Sequence, residues 1–139
     1  MSMKVYLASS WKNMHAVEML THELRYRGHT VVSFIEEACI RERRGVFDIN
    51  EWIKSDDGLA KFKFDTNGAT TSDLVIYVGP SGTDAWAEVG AAWASKVPVY
   101  GLYAKGEPAG LMRRMIKWFH CYRDLLEAVE KLSNGGDYD

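Results

Sequence analysis

The chain has 139 residues, 47% of them apolar and 26% charged, with a formal net charge of −2. This suits one globular domain with a real core, and it excludes a broad basic field for nucleic acid polymers or anionic membranes. No apolar run nears the roughly 20 residues of a membrane helix, and the opening MSMKVYLASSW has no apolar signal core behind a basic end. Cys39 and Cys121 form neither a disulfide framework nor a metal spacing, so a cytoplasmic protein with two reduced thiols is expected.

In chain order, residues 3–8 (MKVYLA) predict a buried strand ending in a small turn at Ser9 and Ser10. Residues 14–27 predict a helix, with Val17, Leu20 and Leu24 at helical spacing and Gly28 as its stop. Residues 30–34 (TVVSF) predict a second strand, which completes a βαβ unit and implies a parallel pair. Residues 36–58 read as charged and irregular, including Arg41, Arg43 and Arg44. Residues 59–69 predict a helix, and 74–78 (LVIYV) give the clearest strand. After the turn at 79–82 come a helix over 84–95, a strand over 97–103 and a helix over 109–116 opened by Pro108. A fifth strand is expected at 119–122 and a last helix at 123–132, leaving 133–139 as a mobile tail to a single domain over 1–132. The alternation predicts an α/β, doubly wound, mainly parallel five-stranded sheet of flavodoxin or Rossmann type, with ligands beyond the carboxyl ends of its strands.

That rule directs attention to Ser9-Ser10 and to GPSGTDAWAEVGAA. Gly79 and Gly82 allow a sharp turn and close backbone approach. Ser81 or Thr83 can cap the next helix, whose first turn attracts anions. Asp84 and Glu88, four residues apart, share a helix face, where like charges disfavour each other. Trp86 or Trp93 can wall a pocket for a flat base. In the plain alternative Asp84 caps the helix, Glu88 is solvated and both Trp residues are core.

The pattern VYLASS, then SDLVIYV, then Glu88-Val89-Gly90-Ala91-Ala92, then Lys96-Val97-Pro98-Val99 resembles the nucleoside 2-deoxyribosyltransferase family, which includes 2'-deoxynucleoside 5'-monophosphate N-glycosidases. The order and spacing hold over residues 3–103, and a branch opening KVYLASSW is the nearest likeness. In the transferases the loop glycine usually stands four residues before the Glu, whereas Gly82 stands six before Glu88. The resemblance implies that Glu88 attacks the anomeric carbon to form a glycosyl ester, chemistry that suits an oxocarbenium-like transition state. By position it makes Asp73 the acid, with Asp84 as a second candidate. It also implies that Tyr6 orients nucleophile or sugar, and it matches Ser10 to the Ser of the first loop. Ser9, Ser10, Gly79, Ser81, Gly82, Thr83, Asp84 and Trp86 are the expected substrate-binding residues. The plain alternatives are a strand-start cap for Asp73, core for Tyr6 and a helix cap for Ser10.

Arg41, Arg43, Arg44 and Lys12 can grip a phosphate, though a solvated charge run is the stronger reading. His15, His22, His29 and His120 lack metal spacing and read as helix or surface residues. Phe34, Phe47, Trp52 and Phe64 read as core. No cofactor and no metal are expected. The expected function is cleavage or transfer of the N-glycosidic bond of a small-molecule nucleoside or nucleotide; the alternative is a nucleotide sensor without turnover. A homodimer or higher homo-oligomer is expected, because the resemblance implies that neighbouring chains close each site. Trp86, Trp93, Leu111, Met112, Met115 and Trp118 also exceed what two short helices need for packing.

Overall fold

The computed structural model describes residues 2–34 and 48–136; Cys39, the charged run at Arg41, Arg43 and Arg44, Phe47 and residues 137–139 lie outside them. Five strands, β1 (Lys4–Ala8), β2 (Thr30–Ser33), β3 (Leu74–Val78), β4 (Val99–Leu102) and β5 (Lys117–Phe119), form one sheet in the order β2-β1-β3-β4-β5. Every pairing is parallel. The strand order reverses between β1 and β3, the place where doubly wound sheets bind ligands. The helices are α1 (Met14–Tyr26), α2 (Ile49–Lys54), α3 (Asp56–Thr71), α4 (Thr83–Ala94) and α5 (Tyr122–Ser133).

Alternation along the strands sorts side chains onto two faces. Val5, Leu7, Leu74 and Ile76 join Val17, Leu20 and Leu24 of α1 and Leu125 and Val129 of α5 in one core layer. Tyr6, Ala8, Val75 and Tyr77 point the other way and meet Ala69 of α3 and Ala85, Val89 and Ala92 of α4 in the second. Tyr6 is therefore fixed beneath α3 and α4 by strand parity alone.

Several boundaries differ from the sequence reading. The stretch expected to be irregular contains α2, started by Asp48, whose carboxylate accepts from the N–H groups of Asn50 and Glu51. Ser55 then caps α3 through Gly58 N–H and starts it three residues earlier than expected. The helix expected over 109–116 is a 3-10 segment, Leu111–Met115. Arg113 folds that segment back by donating to the carbonyls of Pro108 and Glu107, which competes with a regular helix. The fifth strand consequently falls at Lys117–Phe119, where it pairs with β4. His29, expected at the surface, is buried: its Nδ1 accepts Met3 N–H at 3.2 Å and its Nε2 lies 3.0 Å from Glu130. No helix among the described residues is long and apolar enough to cross a membrane.

Gly68 lets α3 lie directly on Tyr6: a Cβ there would fall 2.7 Å from Tyr6 Cε1 and nearer still to Cδ1. Gly68→Ala should therefore destabilise the fold by about 1–3 kcal/mol in urea unfolding, because overpacking against a fully buried ring outweighs the gain in helix propensity. An unchanged or raised midpoint would show that α3 is not seated on Tyr6.

Candidate active site

The polar groups of the second core layer gather around Tyr6. Its hydroxyl donates to Glu88 Oε1 at 2.5 Å, joining the middle of β1 to the second turn of α4. Burial, and next the charge of Glu88, hold the phenol far above its ordinary range, so Tyr6 acts as a standing donor. Burial pushes the Glu88 carboxyl up to about 8; the Tyr6 hydrogen bond and the Lys61 ammonium draw it down, while the charges of Asp65 and Asp84 push it further up. Like-charge opposition between Asp84 and Glu88, expected from their four-residue spacing, is thus present.

Two members of this cluster, Lys61 and Asp65, were missed in the sequence. Both lie on the inner face of α3. Lys61 is buried, and its ammonium sits 2.5 Å from Asp65 Oδ1 and 5.3 and 5.4 Å from the ring centroids of Phe34 and Phe64. Asp65 also acts on Tyr6 by charge and hydrogen bonding. The available signal was the spacing of Lys61, Asp65, Gly68 and Ser72, which places charged and small residues on one helix face.

The other expected residues fall into four groups. Asp73 is exposed at the amino end of β3, where Oδ2 accepts Lys4 N–H at 2.8 Å; it is a strand-start cap and is not brought to Glu88. Its place beside the first residue of β1, at the opposite end of the strand from Ala8, separates it from the ligand-binding edge. Trp86, two residues before Glu88, leaves α4 on another side. It packs 5.0 Å from Tyr77 and 6.4 Å from Trp118, and its indole N–H donates to Glu107 at 3.0 Å. Ser9, Ser10, Gly79 and Ser81 build the loop at the carboxyl edge. Ser9 and Asn13 both bond the Val78 carbonyl, and Asn13 also reaches the Pro80 carbonyl at 2.7 Å. From the opposite side, buried Glu107 accepts from the Tyr77 hydroxyl at 2.6 Å, and that hydroxyl in turn accepts Ser81 N–H at 2.9 Å. A Cβ at Gly79 would collide with Glu107, so the loop needs glycine there. The expected cap from Ser81 or Thr83 is not made: Gly82 is the N-cap of α4, Thr83 is already helical, and the buried Ser81 hydroxyl has no partner among the described residues. Ser10 likewise caps nothing by its side chain. Gly82, Thr83 and Asp84 are exposed at the start of α4.

Chemically, this is a doubly wound α/β domain with a carboxylate, a phenol donor and a lysine-clamped second carboxylate between two helices and the sheet. No family model and no curated protein matches the chain. Among solved structures it is similar to a 2-deoxyribosyltransferase of Bacillus psychrosaccharolyticus, at 24% identity and a TM-score of 0.67, over 88% of this chain and 89% of that one. It is also similar to the CMP N-glycosidase BcmB of Clostridium botulinum, at 19% identity and a TM-score of 0.56, over 91% and 98% of the two chains. A conserved protein of Enterococcus faecalis matches at 20% identity and a TM-score of 0.55, over 96% of this chain and 76% of that one. The chain shares the fold of these proteins.

The raised Glu88 carboxyl has a consequence for stability. Its proton is held more tightly in the folded state than in the unfolded one. The stabilisation is full below the ordinary carboxylate range and is lost as pH rises towards about 8. Glu88→Gln should therefore match the parent at pH ~4 and exceed it by on the order of 1–3 kcal/mol at pH ~9. Paired urea titrations at the two pH values check this, and a variant less stable than the parent at the higher pH would contradict burial of the carboxylate.

Proposed function

We propose that this chain cleaves or transfers the N-glycosidic bond of a nucleoside or nucleotide, with the Glu88 carboxylate as nucleophile. The observation that carries the reading is the 2.5 Å contact between the Tyr6 hydroxyl and Glu88 Oε1, in a fold shared with a deoxyribosyltransferase and a CMP N-glycosidase. A second carboxylate, Asp65, stands beside the pair. In the first step a Glu88 oxygen bonds to the anomeric carbon, the bond to the base nitrogen breaks, and its electron pair leaves with the base. In the second, water or another base attacks the same carbon and Glu88 departs as carboxylate. Tyr6 orients the nucleophile. Asp65, not Asp73, is the acid-base candidate for the proton of the departing or incoming group. The loop of Ser9, Ser10, Gly79, Ser81, Gly82 and Thr83 lies at the carboxyl edge, where it lines the substrate side.

The test is a nucleoside and nucleotide panel followed by mass spectrometry. The parent should release free base, with sugar or a sugar adduct, and Glu88→Gln should lose turnover by at least ~10³-fold while keeping its fold, because the amide is nearly isosteric but not a nucleophile. Binding without product would favour the sensor reading; full activity in the Gln variant would remove Glu88 from the chemistry.

Self-association is part of the same reading. Trp86 and Trp118 pack together, but Trp93, Leu111 and Met112 are 60%, 79% and 59% exposed. These three side chains are apolar surface that a second copy would cover. Sedimentation at micromolar concentration should give a species at least twice the 15.7 kDa chain mass. A monomer would refute the dimer and require each site to be complete within one chain.

A further inference from the structure

Lys61 has no place in the glycosidic chemistry as written, yet it is the most costly side chain in the cluster to bury. A buried ammonium loses several kcal/mol of hydration, which its attraction to a partner offsets only with good geometry. An apolar residue of similar length would fill the same space between Phe34 and Phe64 without that loss. The charge therefore calls for a use beyond packing.

The groups facing Glu88 among the described residues are Tyr6 from β1, Lys61 and Asp65 from α3, and Asp84 from its own helix. On the other elements packed against α4, Tyr77 of β3 is tied to Glu107, and Arg113 of the 3-10 segment is tied to two carbonyls. Among the described residues, Lys61 is thus the cation that stands with these three carboxylates. Two carboxylates this close, without a counter-charge, share a proton and do not ionise together.

Resting on the glycosidic reading of this site, we propose that Lys61 is a positioning residue: its ammonium, clamped to Asp65, supplies the positive charge that offsets the carboxyl groups around Glu88, and so sets the pH at which Glu88 becomes a nucleophile. The ring faces of Phe34 and Phe64 attract the ammonium by cation–π contact and keep it from swinging out to solvent. The one-turn spacing of Lys61 and Asp65 fixes the clamp along α3, and Gly68, three residues beyond Asp65, brings that face against Tyr6.

The direct test is a carbon-13 titration of the Glu88 carboxyl in the free protein, whose midpoint is expected near 8. Lys61→Met should raise that midpoint by at least ~1 unit, Lys61→Arg should leave it within a few tenths, and Asp65→Asn should lower it by ~1 unit. Opposite movements from two neighbouring substitutions are not what general loosening of α3 produces. The Asp65→Asn arm also decides the matter if Lys61→Met fails to fold. An unmoved or lowered midpoint in Lys61→Met, or an unmoved or raised one in Asp65→Asn, overturns the proposal. With a substrate from the panel, the acid limb of kcat/KM should shift with each midpoint. A site that binds nucleosides without turnover would fail the glycosidic reading and leave the titration result standing.

Discussion

The contact between Tyr6 and Glu88 joins the three layers of this half of the molecule. Tyr6 is fully buried in the interior strand β1, and strand parity alone determines that it faces α3 and α4 rather than α1 and α5. Gly68 removes the side chain that would hold α3 away from its ring, and Glu88 reaches down from α4 to its hydroxyl. The hydroxyl on which the nucleophile candidate rests is thus part of the core. Its ring cannot turn away without opening the packing of two helices, so the carboxylate is held by a donor that does not reorganise when charge develops.

Glu107 is buried where Glu88 is only partly covered, and the contrast between the two glutamates separates chemistry from architecture. Glu107 accepts from the Tyr77 hydroxyl through both oxygens and from the Trp86 indole through one. Through Tyr77 it holds the Ser81 amide, while Ser9 and Asn13 hold Val78 and Pro80 from the other side. A carboxylate so fully bonded is a staple: it fixes the turn that launches α4 and thereby the height at which Glu88 leaves the helix. Glu88 itself has Tyr6 as its side-chain donor among the described residues and is only partly covered. Oxygen lone pairs not committed to the protein are open to a ligand.

The sheet was legible because its strands are short apolar runs bounded by turn residues, and because the βαβ spacing admits little but a parallel arrangement. Glu88 and the Ser9-Ser10 turn were singled out by their positions one helical turn into a helix and after the first strand, and Tyr6 by the family resemblance. Asp73 was misread because an aspartate before a buried strand looks alike whether it serves chemistry or caps a neighbouring N–H; only the register, with Leu74 opposite Val5, shows that it sits at the amino edge. Asp65 and Lys61 were passed over because α3 reads as polar. Of its inner positions, Lys61, Asp65, Gly68 and Ser72 carry little apolar character, so hydrophobic periodicity is weakest where the helix does most for the site. Capping chemistry was misjudged for a related reason: Ser81 and Thr83 flank the N-cap, but the cap itself is Gly82, and its neighbours are placed by the loop contacts of Tyr77 and Asn13 rather than by local preference.

A polar cluster inside a small domain must be neutralised as well as bonded. Around Tyr6 the described residues place Asp65, Glu88 and, one turn before it, Asp84 within mutual influence, against the buried ammonium of Lys61. Such a set cannot be fully ionised at neutral pH, so part of the negative charge must be held as protons. Burial raises the Glu88 carboxyl, so Glu88 is where such a proton is held. On the proposed reading, a substrate that brings positive character to its anomeric carbon shifts the balance towards ionised Glu88, whose proton passes to the departing base, because the developing cation adds the counter-charge that the resting cluster lacks. The nucleophile would then be released by the transition state that needs it, which differs from a carboxylate held permanently ionised and equally available to protons and solvent.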